Sequence, residues 1–523
     1  MARLWPAPRR ALYLTHRWLG VAMCAFFAMW FASGMVMMYV GYPQLTDAER
    51  LAHLPPLRAG TALLPPAEAL ARSGLAGLHG LEDLRLAVAS GGRPVYLARG
   101  AGTGPRGAAV VVDAATGEAL RTVDQARALA SARAWSGPGA PEPSYGGTLQ
   151  EDAFTHSRAL DAHRPLHRVR LADAAGTVLY VSGTTGEVVR DASRTERAWN
   201  YAGAWIHWLY PLRGTALDPY WSTVVDTLSI AGVAAALAGT VAGLLRWRFR
   251  GRYRSGARSP YAPGAMRWHH VLGLLFAAAT IAWIFSGLMS MNPWRLFDSG
   301  APPLRTEAYR GAAPALPAGA AAPLPALLAG GGPGLRELRW VRAAGRTLVL
   351  AYGASPQAMH IADAATGAPA VLEARALQDA IARLVAAPLL RVERIERYDL
   401  YHYARAEHTM TGGPARPLPV LRAVFADAHA TWVHVDPATG LVLGRLDAHR
   451  RASRWLFALL HSWDWAPLLE RRPLWDALLL AGSLGGLALS LTGVAIGVRR
   501  LRRMHRTRRE SKTNRPHAAG FIE

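Results

Sequence analysis

The chain has a single cysteine, Cys24, in 523 residues. A disulfide framework is therefore excluded, as is any metal site built on paired thiolates. No Cys-x-x-Cys, His-Glu-x-x-His, nucleophile elbow or phosphate loop occurs, so structural zinc, zinc-peptidase, serine-hydrolase and nucleotide-hydrolysing chemistry all lack their usual carriers. No recognisable Rossmann or flavin motif is present either. Any reductant is then not held by a familiar nucleotide domain of this chain.

Basic charge is missing from the interiors of four apolar stretches, 18–40, 222–245, 270–291 and 475–498, although Asp226 lies inside the second near one end. Each has about the twenty residues that a helix needs to cross roughly 30 Å of hydrocarbon. Arginines crowd the flanks. Arg3, Arg9, Arg10 and Arg17 precede the first stretch, Arg246 to Arg267 fill the link between the second and third, and Arg499 to Arg515, with Lys512, follow the fourth. Short segments rich in Lys and Arg stay in the cytoplasm. This rule predicts cytoplasmic termini, a cytoplasmic middle loop, and segments 42–215 and 292–470 outside. The net charge of +23 sits mostly in those clusters, which points to topology and anionic lipid rather than nucleic acid. The first apolar run exceeds the usual length of a signal-peptide core and reads as an uncleaved anchor.

The two halves repeat. His16, Trp30, Ser33 and Gly34 match His269, Trp283, Ser286 and Gly287 at an offset of 253. His207, Trp221, Gly232, Gly239, Gly243 and Arg246 match His461, Trp475, Gly486, Gly493, Gly497 and Arg500 at an offset of 254. One unit, arranged as membrane helix, large extramembrane region and membrane helix, is present twice.

Parallel repeats imply a pseudo-two-fold axis along the membrane normal, which sets equivalent residues at equal depth. His16 and His269 are then partners on the cytoplasmic side, and His207 and His461 partners on the outer side. A hydrocarbon core of roughly 30 Å separates the two levels, so one iron cannot bridge them. The simplest arrangement is two b-type haems, each with one axial histidine from each half. Two axial imidazoles leave no open position on the iron, which suits electron transfer rather than oxygen chemistry. His270, adjacent to His269, leaves a choice of register open, in which alignment on the following Leu-Gly selects His269. His270 is a candidate for a propionate contact or a supporting hydrogen bond. Arg17 and Arg267 are candidates for pairing with cytoplasmic propionates.

The extramembrane regions carry a recurring strand-turn-strand pattern, at 110–120, 178–189, 359–370 and 432–443, each with alternating apolar residues around a Thr-Gly turn. Helical stretches such as 374–384 intervene, so each region is expected to be antiparallel α+β, with loops at 138–144 and 312–334. His156, His163, His167, Tyr401, His402, Tyr403 and His408 are candidates to border an outer substrate pocket, though no catalytic motif accompanies them.

His16-Arg17-Trp18-Leu19-Gly20 opening the first helix, the Asp-x-x-Thr-Gly hairpins, and a histidine followed by a Pro-containing loop and a Gly-rich helix together resemble the bacterial PepSY-associated transmembrane family, over nearly the whole chain. The resemblance implies a protein of the bacterial inner membrane with periplasmic PepSY-like regions. It is similar to haem-containing reductases of ferric siderophores.

The expected fold is thus an integral membrane core of four transmembrane helices with pseudo-two-fold duplication and two extracytoplasmic α+β PepSY-like regions. Its expected divisions are 1–41 (N-terminus and first helix), 42–198 (first periplasmic region), 199–248 (interfacial and second membrane helix), 249–291 (cytoplasmic loop and third helix), 292–453 (second periplasmic region), 454–498 (interfacial and fourth membrane helix) and 499–523 (basic tail). The expected activity is a membrane di-haem b oxidoreductase. It would draw electrons from an unidentified donor and reduce a periplasmic ferric siderophore or other Fe(III) chelate. Three other readings stay open: a haem cytochrome serving a quinone, copper or sulfur acceptor; a non-enzymatic envelope-binding or regulatory scaffold; and a transporter, for which the few intramembrane charges give little material.

Overall fold

The computed structural model describes residues 6–74, 81–100, 109–312, 316, 323–404 and 416–513. Its contacts divide the chain into two units. The first comprises Met1–Gly41, Tyr201–Phe297 and Ala452–Glu523, the second Tyr42–Asn200 and Asp298–Arg451.

The first unit is a helical bundle. Three of its helices, Pro6–Met37, Trp221–Arg246 and Leu474–Thr513, contain stretches long and apolar enough to cross a membrane. Less than a third of the first two apolar windows is buried, and a third of the last. The side chains left outside are themselves apolar, among them Ile230, Leu237, Val241, Leu484 and Leu491. A helix apolar on all faces needs an apolar surrounding. These helices fit a membrane protein in contact with lipid.

The expectation of four uninterrupted membrane helices is overturned at the third. Stretch 270–291 is not one helix: Ala265–Leu275 and Ala277–Ser290 meet at 70°. The break is at Phe276 (φ −103°, ψ 12°), outside helical geometry. Its ring occupies the space beside Gly485 of the last helix, where an added Cβ would lie 2.2 Å from the ring. Inserting a side chain between helices is one of the recognised causes of a sharp kink. A count of apolar residues along the sequence does not see it.

The second unit also departs from expectation. Instead of two separate α+β regions built from small modules, two per half, the described residues of this unit form a seven-stranded and two four-stranded antiparallel sheets. The seven-stranded sheet draws on both halves, because Leu81–Ser90 pairs antiparallel with Glu337–Ala343. Arg85 and Arg339, equivalent residues of the repeat at an offset of 254, stand directly opposite each other there. The pseudo-two-fold axis of this unit therefore passes between those two strands. On either side of it Arg85 meets Glu337 at 3.3 Å and Arg339 meets Asp83 at 3.0 Å. Leu84, Leu86, Val112, Leu338, Trp340 and Val349 form the core on this sheet.

The smaller sheets are the 144–192 and 389–446 portions of the two halves. The helix Gln125–Ser136 covers the first with Ala128, Ala132 and Trp135. Ala374–Ile381 covers the second with Leu377 and Ile381. The turn-bearing hairpins form as local chemistry dictates. Asp113 Oδ1 accepts from the amides of Ala115 and Thr116, Asp363 Oδ1 from those of Ala365 and Thr366, and Asp436 Oδ1 from that of Ala438. Ser182 takes the same place in the hairpin that lacks the aspartate.

Candidate functional site

The first unit brings the repeated histidines together in two pairs. His16 lies on the first long helix and His269 on the shorter arm of the bent pair, yet their ring centroids are 6.2 Å apart. His207 and His461 stand 6.3 Å apart. His16 and Ser33, which contacts His207, are seventeen residues apart on one continuous helix. The two pairs are therefore separated by about 25 Å at 1.5 Å rise per residue.

The second pair comes from two short connections with the same backbone plan. The stretch Tyr201–Trp205, broken at Gly203 (φ −96°, ψ −108°), precedes His207, and the π-helical stretch Arg454–Leu459 precedes His461. Two residues after each histidine the chain enters the left-handed region, at Leu209 (φ 55°) and Trp463 (φ 48°). Non-glycine residues adopt that conformation at a cost, and here it ends each short helix. Each turn is then fixed to the following long helix by an indole. Trp221 Nε1 donates to the Trp208 carbonyl at 2.8 Å, and Trp475 Nε1 to the Ser462 carbonyl at 3.0 Å. Trp30 Nε1 adds a bond to the carbonyl of His207 itself, at 3.0 Å.

Hydrogen bonding fixes the tautomer of all four rings. His16 Nδ1 meets the Ala235 carbonyl at 3.1 Å, and His269 Nδ1 meets the Leu489 carbonyl at 3.2 Å. A carbonyl only accepts, so Nδ1 carries the proton in both. His207 Nδ1 meets Ser33 Oγ, and His461 Nδ1 meets Ser286 Oγ, each at 3.0 Å. Ser33 gives its one hydroxyl proton to the Met29 carbonyl at 2.7 Å, and Ser286 gives its own to the Trp283 carbonyl at 3.1 Å. Each serine therefore accepts from the imidazole. In all four rings Nε2 is left with the lone pair, the form in which histidine ligates a metal.

The adjacent histidine is committed elsewhere. His270 is buried, with Nδ1 2.8 Å from Ser259 Oγ and Nε2 2.9 Å from the Gly243 carbonyl. Both nitrogens are spent on tying the loop before it to the helix Trp221–Arg246. Arg17 is exposed and Arg267 half-buried, and neither side chain has a hydrogen-bond or ion-pair partner among the described residues. The repeat-related Arg246 and Arg500 instead lie over aromatic rings, Arg246 over Tyr13 at 4.4 Å and Arg500 over Trp18 at 5.6 Å.

The other candidates are spread through the second unit. His156 Nδ1 meets Glu151, His163 Nδ1 is 3.1 Å from Ser182 Oγ, and His167 Nδ1 is 2.8 Å from the Tyr145 hydroxyl. Tyr401 packs edge-on against Trp432 and Tyr403 lies beneath Arg416. His402 is buried, with its ring 5.2 Å from that of His434 and Nε2 3.0 Å from the Pro417 carbonyl. Arg422 donates to His434 Nε2 at 2.9 Å and to Asp399 at 2.6 Å. Burial first, then the Arg422 charge and His402, push His434 down to about 3. His408, Arg3 and Arg515 lie outside the described residues.

Sequence reasoning missed Ser33, Ser286, Thr492 and the carbonyls of Ala235 and Leu489 as partners of the histidines. The two serines did carry a signal, since they match at the same offset as His16 and His269.

Among the described residues no group of three or more His, Cys, Asp and Glu is placed to hold a metal ion. Each histidine pair offers two imidazole donors. No protein-family model matches the chain, and no characterised protein matches it by sequence.

Proposed function

We propose that each histidine pair holds one b-type haem and that the protein passes electrons across a membrane to reduce an Fe(III) chelate. One observation carries the reading: two histidine pairs related by the repeat, held in one tautomer, with centroids 6.2 Å and 6.3 Å apart. Metal–imidazole bonds of about 2.0 Å would let one metal ion be shared by two rings at this separation. Two donors do not saturate a metal ion, so the ion must bring its remaining ligands with it, as a porphyrin does. When bound, haem would supply a one-electron carrier.

The protein's own part is placement. Ser33, Ser286, Ala235 and Leu489 orient the rings before any ligand arrives. Phe27, Phe31, Met23 and Ile284 fill the bundle between the two levels with apolar side chains, which keeps water out of the path. The arginine-rich flanks support an inner membrane location with cytoplasmic termini and the second unit on the periplasmic side. An Fe(III) chelate, such as a ferric siderophore, is the acceptor we assign. That assignment rests on the resemblance to PepSY-associated reductases. Reduction to Fe(II) lowers the charge on the metal and weakens its hold on hard oxygen ligands.

The test is spectroscopic. Protein purified in mild detergent is expected to show about two b-type haems per chain in a pyridine haemochrome assay. His16→Ala is expected to remove one and His461→Ala the other. A colourless protein, still colourless after expression with added haem, overturns the proposal. Two haems that, once reduced and freed of excess dithionite, are not re-oxidised by a ferric chelate would overturn the acceptor and leave the cofactor assignment standing.

A further inference from the structure

The two histidine pairs are not equivalent in what their Nδ1 protons meet. At the first level the acceptors are the main-chain carbonyls of Ala235 and Leu489, and His269 Nδ1 also has Thr492 Oγ1 at 3.2 Å. Thr492 gives its hydroxyl proton to the Leu489 carbonyl at 2.6 Å, so it too accepts from the ring. At the second level both acceptors are serine hydroxyls, and Ser33 and Ser286 are buried, 3% and 0% exposed. On the reading above, that each pair holds a haem, we propose that the haem at His207 and His461 has the higher reduction potential of the two, because Ser33 and Ser286, as positioning residues, hold its rings with weaker acceptors than the carbonyls of Ala235 and Leu489.

An acceptor at Nδ1 draws the ring towards imidazolate and makes Nε2 a better donor to iron. A better donor favours the ferric state and lowers the potential. An amide carbonyl is the stronger acceptor, because resonance places partial negative charge on its oxygen, whereas a hydroxyl oxygen lacks that charge. Among the described residues the Nδ1 protons of the first level meet two carbonyls and a hydroxyl and those of the second meet two serine hydroxyls, so the first level is the more strongly held ferric. The arginines flanking the first level act in the opposite sense, since positive charge favours the reduced state. Most, like Arg17, are exposed and weakened by screening over about 8–10 Å, while Arg246, Arg267 and Arg500 are half-buried. The hydrogen bonds act directly on the ligand and are not screened. Electrons entering at the arginine-flanked level then move downhill towards His207 and His461.

The experiment is a potentiometric titration of the haem-loaded full chain in detergent, followed at the haem absorption bands. The wave that remains in His16→Ala and the wave that remains in His461→Ala assign the two midpoints. The expected result is two separate waves, with the higher belonging to His207 and His461. Ser33→Ala and Ser286→Ala are each expected to raise that wave further, because each removes an acceptor, and to leave the lower wave in place. Ser33→Thr, which restores a hydroxyl, is expected to return the midpoint towards wild type. If Ser33→Ala sheds its haem, the order of the wild-type waves and the Ser33→Thr midpoint still decide. Coincident waves, a higher midpoint at His16 and His269, or serine variants that move neither wave would overturn the inference and leave the haem assignment intact. A colourless protein would overturn both.

Discussion

His16 has little room to move. A Cβ added at Gly239 would sit 2.5 Å from His16 Cε1, whereas one added at Gly20, on the helix that carries His16, meets nothing within 4 Å. Alanine is favoured over glycine within a helix by about 1 kcal/mol, so propensity alone would make either substitution harmless. Gly239→Ala is therefore expected to lose most of the haem that His16→Ala loses, and Gly20→Ala to keep both, as read in the haemochrome assay. A second prediction concerns His434, which is buried and pushed down to about 3, against about 6.5 in an unfolded chain. The folded state then binds fewer protons than the unfolded state between these values, so stability falls as pH falls below about 6.5. Between pH 6.5 and 5 the loss is about 2 kcal/mol at most. His434→Tyr is expected to flatten this acid sensitivity in thermal melts, since Tyr180 stands at the equivalent position opposite Arg168 as His434 stands opposite Arg422. A slope equal to wild type would show that His434 is not the titrating group. At this scale the sequence revealed the histidines, because side-chain identity repeats visibly. It hid their main-chain partners, because a carbonyl such as that of Ala235 has no residue signature. The partners of His270 were hidden for a related reason: adjacency in sequence says nothing of Ser259 and Gly243, which meet both its nitrogens.

Elements whose form depends on near neighbours were legible, and those that depend on distant ones were not. The Asp-x-x-Thr-Gly hairpins close within a few residues, so their composition announces them. The strand pairing of Leu86 with Leu338 joins residues about 250 positions apart, and nothing local specifies it. The bend at Phe276 likewise depends on a gap at Gly485, more than 200 residues away. The cross-half pairing is held by charge as well as by apolar contact. Glu337 is 1% exposed and receives Arg50 at 2.6 Å and Arg85 at 3.3 Å, while Arg85 also holds Glu187 at 3.0 Å. Burial works to raise the Glu337 carboxyl, but Arg85 and Arg50 hold it below the usual range. Replacing such a network with packed apolar residues can be neutral, whereas removing one member strands buried charge at a cost of about 3–5 kcal/mol. Glu337→Ala is expected to destabilise the second unit by that order in denaturant unfolding, and Glu337→Gln by less because the amide keeps part of the hydrogen bonding. Equal stability of Glu337→Ala and wild type would mean that the arginines find other partners.

Taken as a whole, the molecule uses its duplication in both units in the same way: each half is incomplete at the place where the other contributes. In the first unit every histidine pair takes one ring from residues 1–256 and one from the remainder, His16 with His269 and His207 with His461. In the second, Arg85 finds Glu337 and Arg339 finds Asp83 across the central strand pair. The sequence made the duplication plain but suggested two self-contained extramembrane regions, because a repeat in sequence does not say whether copies fold separately or share a sheet. The shared arrangement has a consequence for a split chain. The link between Arg246 and Ala265 lies outside the long helices, so a cut at residue 256 leaves every membrane-crossing helix whole. Expressed alone, a monomeric half has only one histidine of each pair and is expected to carry no haem. Expressed together, the halves regain both pairs and the central strand pairing, and are expected to co-purify with about two haems per complex, as one particle by size-exclusion chromatography. A haem retained by a monomeric half would mean that its ligands come from within one repeat, which would contradict the pairing of the histidines across halves.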